Sequence, residues 1–588
     1  MSDQAPILDS ELEGDILRIL KACGTHMASI SVRSLSKPSH LERTTVQLQT
    51  FMRLGDSIRP GAFEYKVSSD GKNIFHIASI TKILVAVAIV IAVEIKAKEQ
   101  VVENPYAAFS NVPEESLTTL YNDHSKDKMP SLPGNPSLYQ LLVHFRGLRS
   151  SNHYLLAPDG SPIMTMADLL QDLTYLSKRD AGRSSAEELW TKYSNINYSL
   201  IAIAIEALWK DTLSTFMSKT LFEPLGMMST TIGSPTDRGI RPERYVVDSN
   251  GTLHCVRSPE YQSTGAEAGA LGAFSSAEDL DKFFTFLITS LHGKKVIEGF
   301  DVNIISKLFK LESRETKENV FTGLGLLTTL NSSKIGSMST NALLFPDETF
   351  STYPVSPGSR GKGIEAYYMA GSALGCNCTT AFLPSVVQES FAVVVLTDTS
   401  GPVDAADHIS RRILQTIAKR RCPQKLSLFH RQPENVMEMV KKAWDASSNA
   451  WKRTEKKDEQ LIKNAPNVSK NITGVFKGKG FSQWLIITTA DLKTYITVCG
   501  SNDSRTSSAS GSSSAFRTSP AQFQLIWVNA NLVKMCVPPH LSIDTHGDGD
   551  WSELTFEVHC SGNTVTELIR MTAVGKDCFE RTESGTPD

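Results

Sequence analysis

The sequence shows no excess of charge of either sign. Its 588 residues include 60 lysines and arginines and 63 aspartates and glutamates, which gives a formal net charge of -3. Proteins that bind nucleic acid or anionic membrane surfaces through charge carry a clear positive balance, so we expect neither partner. With 40% hydrophobic and 21% charged residues the composition is globular, and the length predicts two domains.

The sequence shows neither a long apolar run nor the pattern expected of a secretory signal. The longest apolar run, residues 83–93, has about half the length of a membrane-spanning helix, so it predicts a buried core helix. The N-terminal stretch MSDQAPILDSELEGDILRIL is acidic and has no basic region before an apolar core, unlike a secretory signal. Nine cysteines, an odd number without a repeated spacing, favour reduced thiols. We therefore expect a cytoplasmic protein.

The pattern along the chain divides it into three parts. In residues 1–420, helical periodicity gives way to strand-like segments and a closing helix, which predicts helices packed against a sheet made of both ends of this region. Residues 421–470 are charged and polar and predict a helical linker. Residues 471–588 alternate between strands and turns, which predicts an all-β domain, and its Ser-rich stretch 501–520 predicts a mobile loop.

The stretch FHIASITK places a lysine three positions after a serine, at the start of the apolar helix. Positions i and i+3 lie on the same helix face, so the amine of Lys82 can reach the hydroxyl of Ser79. Burial penalises a charged amine, and a neutral Lys82 can take the proton that activates Ser79 as a nucleophile. The helix start also offers backbone N–H groups that stabilise an oxyanion. Alone, however, the pattern is also typical of a surface serine and a lysine that extends to water.

Two further segments add chemistry to this pattern. KYSNINYSLIAIAIE carries Tyr193 and Asn195 as Y-x-N, directly before a second apolar helix. A tyrosine can relay a proton to a leaving group, and an asparagine can hold an acyl amide or the lysine. YYMAGSALG precedes the strand-like TTAFLP, and its Gly371 and Ser372 would let a strand backbone approach a substrate closely.

Taken in this order, the segments resemble the superfamily of class C β-lactamases, penicillin-binding proteins and related serine esterases, in whose wider group S-x-x-K is a catalytic motif. The resemblance covers roughly residues 10–420. It implies an α/β (α+β) fold of the β-lactamase/transpeptidase type, with a helical region against an antiparallel sheet. The all-β C-terminal part, a barrel or sandwich, more weakly resembles lipocalin-like domains. Connecting stretches that share the resemblance are SLYQLLVHFRGL, LFEPLGMMSTTIG, GAEAGALGAFSSAEDLDKFFTFLI and VVVLTDTSG.

The resemblance implies a role for each matching residue. Ser79 would be the acylated nucleophile, Lys82 its base and Tyr193 a proton shuttle. Asn195 would orient the substrate and Lys82. The backbone N–H groups of Ser79 and Ser372 would form the oxyanion hole, and neither a metal nor an organic cofactor would be required.

The third motif departs from the family pattern. Its first position usually holds Lys or His, whereas this sequence has Met369, followed by Ala370, Gly371 and Ser372. A methionine carries no charge and donates no hydrogen bond, so it cannot pair with a substrate carboxylate. The sequence therefore argues against a β-lactam or a peptide C-terminus as substrate, and it favours a neutral ester, thioester, lactone or amide.

The sequence leaves three functions open. The first is a serine hydrolase that acts on a small-molecule acyl substrate through an acyl-enzyme. The second is an acyltransferase in which an alcohol or amine replaces water, as in relatives that modify natural products in fungal biosynthesis. The third is a binding protein that has kept the fold without catalysis.

Other candidate residues are better explained structurally. The pair Cys376 and Cys378 is too small a donor set for zinc, which needs four ligands. DTHGDGD, residues 544–550, resembles part of a calcium loop but lacks the later glutamate, so a hairpin turn is favoured. His144 and His153 lie on either side of the segment RGL and are candidates for a pocket rim, but a structural role is favoured for both.

Overall fold

The computed structural model gives the architecture of most of the chain. Helices and strands are each numbered in chain order. The structure describes residues 7–36, 41–50, 65–68, 73–100, 116–148, 152–181, 193–236, 241–293, 297, 305–306, 308–309, 312–314, 320–325, 327–328, 339–343, 366–386, 389–421, 436–500, 521–541, 555–572 and 575–582. The predicted loop 501–520 and the segment 544–550 lie outside these residues.

A sheet of nine described strands forms the centre of the first region, the part of the chain predicted to span residues 1–420. Its strands are β1 (Met27–Ser36), β2 (Leu41–Thr50), β3 (Tyr65–Ser68), β9 (Glu312–Arg314), β10 (Val320–Thr322), β11 (Leu327–Thr328), β12 (Tyr367–Ala373), β13 (Cys376–Val386) and β14 (Glu389–Thr397). Their order in the sheet is β3-β2-β1-β14-β13-β12-β11-β10-β9. Neighbouring strands are antiparallel throughout, and β1 pairs with β14 so that Ile30 lies opposite Val395. The first and last parts of this region thus meet at the centre of the sheet.

Two small sheets add strands to this region. In the first, β4 (Phe75–His76) and β5 (Thr231–Ile232) flank β8 (Ala273–Ser275). In the second, β6 (Arg244–Val247) lies between β15 (Thr399–Ser400) and β7 (Leu253–Val256). The first of these sheets matters for the site below, because β4 leads directly into the S-x-x-K segment.

Helices pack on both faces of the central sheet. The described helices are α1 (Ser10–Cys23), α2 (Thr81–Gln100), α3 (Leu117–His124), α4 (Leu138–Leu142), α5 (Asn152–Leu155), α6 (Met166–Ala181), α7 (Asn195–Trp209), α8 (Leu213–Met217), α9 (Ala268–Leu271), α10 (Ala277–Leu291), α11 (Thr340–Leu343), α12 (Ala405–Arg421) and α13 (Val436–Lys463). Both α10 and α12 pack on β14, and α1 packs on α12. Nearly every residue of β14 is buried whichever way it points, which is typical of a strand that is covered on both faces.

The apolar run at residues 83–93 forms a core helix, as the sequence predicts. It belongs to α2, which packs against α7 and α9, and each side chain from Ile83 to Val90 is 0% exposed. Within the described residues, the segment Ala78–Glu99 is long and apolar enough to cross a membrane, but 89% of its apolar window is buried inside the protein. An apolar circumference is expected of a helix that is surrounded by protein on every side.

The C-terminal part is a closed eight-stranded barrel. Its strands are β16 (Gly474–Gly478), β17 (Gln483–Ala490), β18 (Lys493–Gly500), β19 (Phe523–Asn529), β20 (Leu532–Cys536), β21 (Thr555–Ser561), β22 (Thr564–Thr572) and β23 (Gly575–Arg581). Consecutive strands pair, and β16 closes the barrel by pairing with β23. The all-β expectation is thus confirmed, as is the expectation of a helical region packed against an antiparallel sheet. The boundaries at residues 420 and 470 stay predictions.

The barrel packs closely on the rest of the protein. Helix α13 contacts α1 and α12 as well as β19, and its residue Asp458 pairs with Lys534 of the barrel at 2.6 Å. At Gly500 the two parts meet through their backbones, because a Cβ atom there would lie 1.3 Å from the carbonyl oxygen of Ile163. Only glycine fits such an approach.

A buried carboxyl group lies just before α9. Glu267 is 0% exposed, and neither of its side-chain oxygens has a hydrogen-bond partner in another described residue. Burial raises the pKa of this carboxyl to about 8 from an ordinary value of 4.5. Between these two pH values the folded protein keeps a proton that the unfolded chain releases, so the free energy of unfolding falls as the pH rises.

We expect Glu267→Gln to remove this loss of stability, because an amide stays neutral at every pH. Relative to the wild type, the variant should gain about 3 to 5 kcal/mol between pH 5 and pH 9. Urea denaturation at the two pH values measures the difference. Glu438→Gln, on the exposed surface of α13, is the control and should not change the pH dependence. If the free energy of unfolding changed with pH in the same way in the wild type and in Glu267→Gln, the carboxyl would already be charged in the folded protein.

Candidate active site

Ser79 lies in a strained turn between β4 and α2. The strand β4 pairs with β8, a 3-10 turn follows at Ala78–Ile80, and α2 begins at the next residue. Ala78 has a φ of 42°, in the left-handed region that non-glycine residues rarely adopt. Such strain persists only where the surrounding structure enforces it, and it is often found at functional sites. The turn leaves Ser79 partly exposed, whereas Ala78 and Ile80 are buried.

Two side chains meet at the Ser79 hydroxyl. Lys82 Nζ donates a hydrogen bond to Ser79 Oγ at 3.1 Å, and Tyr193 Oη donates one to the same oxygen at 2.7 Å. The Nζ atom of Lys82 also lies 4.8 Å from the centre of the Tyr193 ring. The sequence prediction that these three groups lie within hydrogen-bonding reach therefore agrees with the geometry, while their catalytic roles stay predictions.

Lys82 is held in a setting that favours the neutral amine. The side chain is 0% exposed, and burial lowers the pKa of its ammonium well below the ordinary value. Its second hydrogen bond goes to the carbonyl oxygen of Ala270 in α9, at 2.8 Å. A neutral amine keeps a lone pair, so Lys82 can accept the proton of Ser79.

A buried histidine supports Tyr193. The ring of His144 packs against the Tyr193 ring with 4.6 Å between their centres, and His144 Nδ1 accepts a hydrogen bond from the backbone N–H of Ser194 at 3.1 Å. Burial, with a smaller contribution from Lys82, lowers the pKa of His144 well below its ordinary value, which keeps the ring neutral and able to accept. Both His144 and His153 are buried, in agreement with the structural role expected of them.

Asn197, on α7, forms hydrogen bonds with the loop that contains Arg146, Gly147 and Leu148. Its Oδ1 accepts from the backbone N–H of Leu148 at 3.1 Å, and its Nδ2 donates to the carbonyl oxygen of Arg146 at 3.0 Å. A Cβ atom at Gly147, whose φ is 121°, would lie 2.2 Å from Asn197 Oδ1, so the loop requires glycine there. The Y-S-N-I-N segment and the H-F-R-G-L segment therefore form one unit.

Asn195 contacts a residue that was not predicted from the sequence. Its Nδ2 donates a hydrogen bond of 2.7 Å to Oδ1 of Asn152, which lies on the four-residue helix α5. The Oδ1 atom of Asn195 is buried and has no hydrogen-bond partner among the described residues, so it could accept from Lys82 or from a substrate N–H only if that donor reaches it inside the protein. No sequence signal marks Asn152, because its segment lacks a readable motif and lies 43 residues before Asn195.

The third motif brings the backbone of β12 against Ser79. A Cβ atom at Gly371 would lie 2.9 Å from the backbone nitrogen of Ser79. Ser372 is partly exposed, like Ser79, and its Oγ donates to Asn377 Oδ1 at 2.9 Å. Met369 is 0% exposed. The close approach of β12 suits an oxyanion hole built from the N–H groups of Ser79 and Ser372.

The two thiols beside the motif are structural in this arrangement. Cys378 Sγ donates to the carbonyl oxygen of Ile77 at 3.0 Å, and Cys376 Sγ lies 3.7 Å from His76 Nδ1. Burial raises the pKa of both thiols. Among the residues that the structure describes, no cluster of three or more His, Cys, Asp or Glu side chains could hold a metal ion.

Comparison with known proteins gives a family match. The sequence model described as Beta-lactamase matches residues 61–417, which is more than half of the chain and includes all the predicted site residues. No curated protein matches the sequence. The family assignment rests on the match to residues 61–417.

Solved structures resemble the fold at low sequence identity. The octameric penicillin-binding protein homologue from Pyrococcus abyssi is 15% identical, with 97% of this chain and 99% of that chain covered and a TM-score of 0.45. The D-amino acid amidase from Ochrobactrum anthropi SV3 is 18% identical, with 70% of this chain and 100% of that chain covered and a TM-score of 0.46. The class C beta lactamase from Rhodobacter sphaeroides is 15% identical, with 70% and 99% covered and a TM-score of 0.43.

We expect Gly371→Ala to slow acylation of Ser79 by about 100-fold, because the new methyl group would push β12 away from the turn that carries the nucleophile. The rate of labelling by a fluorophosphonate, followed by mass spectrometry, measures the effect. Gly14→Ala is the control, since a Cβ atom at Gly14 meets no atom within 4 Å. Labelling of Gly371→Ala at the wild-type rate would mean that the position of β12 does not matter for acylation.

Proposed function

The chain belongs to the beta-lactamase family, whose members are serine hydrolases, and from this premise we propose that it hydrolyses a neutral ester, thioester, lactone or amide through an acyl-enzyme on Ser79. The observation that carries the proposal is the pair of hydrogen bonds that Ser79 Oγ accepts from Lys82 and Tyr193. A buried amine beside a partly exposed hydroxyl is an arrangement suited to nucleophilic catalysis.

The proposed reaction has two halves. In the first, Ser79 Oγ attacks the carbonyl carbon, its proton passes to the neutral Lys82, and the N–H groups of Ser79 and Ser372 stabilise the oxyanion. When the tetrahedral intermediate collapses, the proton reaches the leaving group through Tyr193, and an ester to Ser79 remains. In the second half, water attacks that ester, its proton follows the reverse path, and the acid is released with the free Ser79 hydroxyl.

The absence of a cation at the first position of the third motif supports a neutral acyl substrate. Met369 occupies the position at which the resembled family usually has Lys or His, and a thioether cannot neutralise a carboxylate. A carboxylate placed near this apolar side chain would lose its hydration without gaining a partner, which costs binding free energy. We therefore propose that the part of the substrate that lies near Met369 has no carboxylate.

An acyltransferase is the second candidate, since the same acyl-enzyme can pass its acyl group to an alcohol or amine. Natural-product biosynthesis is one setting for either reaction. The partition of the acyl group between water and an added alcohol separates the two activities. A cytoplasmic location and the lack of nucleic-acid and membrane partners stay predictions from the sequence.

We expect Ser79→Ala to abolish turnover of a p-nitrophenyl ester and labelling by a fluorophosphonate, because the acylated oxygen is gone. The rate should fall by about 1,000-fold or more, and thermal stability should stay near that of the wild type. Ser214→Ala, on α8 and far along the chain from the motif, is the control for a lost serine hydroxyl. Hydrolysis by Ser79→Ala at the wild-type rate would rule out this nucleophile. A wild-type protein that is neither labelled nor active would instead support a binding function.

We expect Met369→His to shift selectivity toward carboxylate-bearing esters. A hydrogen bond from the imidazole N–H to the substrate carboxylate should raise their kcat/KM relative to neutral esters by about tenfold. Met369→Leu is the matched control, because it keeps an apolar side chain of similar volume. If the two variants have the same selectivity, position 369 does not face the substrate.

A further inference from the structure

A buried polar cluster joins the barrel to the first region. Arg570 and Asp577 lie opposite each other on β22 and β23, both are 0% exposed, and Arg570 Nη2 donates to Asp577 Oδ2 at 3.0 Å. Tyr154 Oη and Tyr175 Oη both donate to Asp577 Oδ1, at 2.5 Å and 2.9 Å. One carboxylate of the barrel thus holds two tyrosines of the first region.

Gln483 of the barrel extends the cluster. Its Oε1 accepts from Arg570 Nη2 at 3.0 Å, and its Nε2 donates to the backbone carbonyl of His153. Burial alone would raise the pKa of Asp577, but Arg570 and His153 lower it well below the ordinary range, so the carboxylate stays charged. A buried ion pair is favourable only when its remaining polar atoms are satisfied, which makes the geometry of this cluster strict.

Helix α5 contacts both the barrel and the candidate active site. Its four residues include Asn152, whose Oδ1 accepts from Asn195, and Tyr154, which donates to Asp577 of the barrel. Tyr154, which binds the barrel, therefore lies two positions after Asn152, which binds Asn195. A displacement of α5 would move Asn152 and change the orientation of the Asn195 amide.

We propose that the barrel acts as a positioning element for the acyl-binding side of the active site, with Tyr154 and Gln483 as positioning residues that act through Asn152 on Asn195. The inference rests on the proposed function, and it adds a reason for the barrel to be part of the enzyme. The barrel then contributes to recognition of an acyl group that carries an amide, because Asn195 is the side chain expected to hold that amide.

The two tyrosines provide a matched pair of variants. Tyr154→Phe and Tyr175→Phe each remove one hydrogen bond to the same oxygen of Asp577, but Tyr175 lies on α6, which carries none of the proposed site residues. The probes are the p-nitrophenyl esters of acetic acid and of an N-acetylated amino acid. We expect the ratio of their kcat/KM values, amide-bearing over acetate, to fall by about tenfold in Tyr154→Phe and by less than about twofold in Tyr175→Phe.

A double-mutant cycle with Asn152→Ala tests the route of the effect. That change alone should lower the same ratio, and adding Tyr154→Phe to it should lower the ratio no further, because the positioned side chain is already missing. If Tyr154→Phe does not fold, Gln483→Glu replaces it in both experiments: it keeps an acceptor for Arg570 and loses the donor to His153. Equal effects of the two tyrosine variants, or additive effects with Asn152→Ala, would overturn the proposal.

Fluorophosphonate labelling separates this proposal from the proposed function. The probe has no acyl amide, so Ser79 should be labelled at the wild-type rate in Tyr154→Phe and Tyr175→Phe. Normal labelling with an unchanged ester ratio would reject the positioning role and leave the nucleophile intact. Absence of labelling in the wild type would reject the proposed function itself.

Discussion

Burial of one amine is the constraint on which the rest of the candidate site depends. Lys82 can serve as a base only while water is kept from it, and it lies on α2, which α7 and α9 cover. Burial is the cause of its lowered pKa, with no contribution from a charged group among the described residues. A nearby carboxylate would restore the positive charge and remove the lone pair. The apolar circumference of α2 is therefore a requirement of the proposed chemistry as well as of the core.

The local part of the site could be predicted from the sequence because it depends on helix geometry. Ser79 and Lys82 are three residues apart, and a helical turn places them on one face whatever the surroundings are. Tyr193 and Gly371 were predictable only together with the resemblance, since nothing in their own segments says which side of the core they face. Asn152 could not be predicted, because its position is set by tertiary contacts that join distant segments.

The fold was predictable in outline for a similar reason. Alternating strand patterns and apolar helices indicate layers, and the predicted sheet made of both ends of the region agrees with the pairing of β1 with β14. The contact between the barrel and the first region has no such signal in the sequence. In the sequence, Arg570 and Asp577 look like ordinary charged residues on exposed strands. Their burial is evident only from the structure, in which Tyr154 and Gln483 contact them.

The backbone contact at Gly500 limits which barrels could be joined to this protein. Boundaries between domains usually fall in exposed linkers across which few contacts are made. Here a single missing side chain lets the carbonyl oxygen of Ile163 fit against β18, so the two parts match each other at the level of the main chain. With alanine at position 500, the main chain of one part would have to move before the two parts could meet, so any barrel placed on this protein would need glycine there.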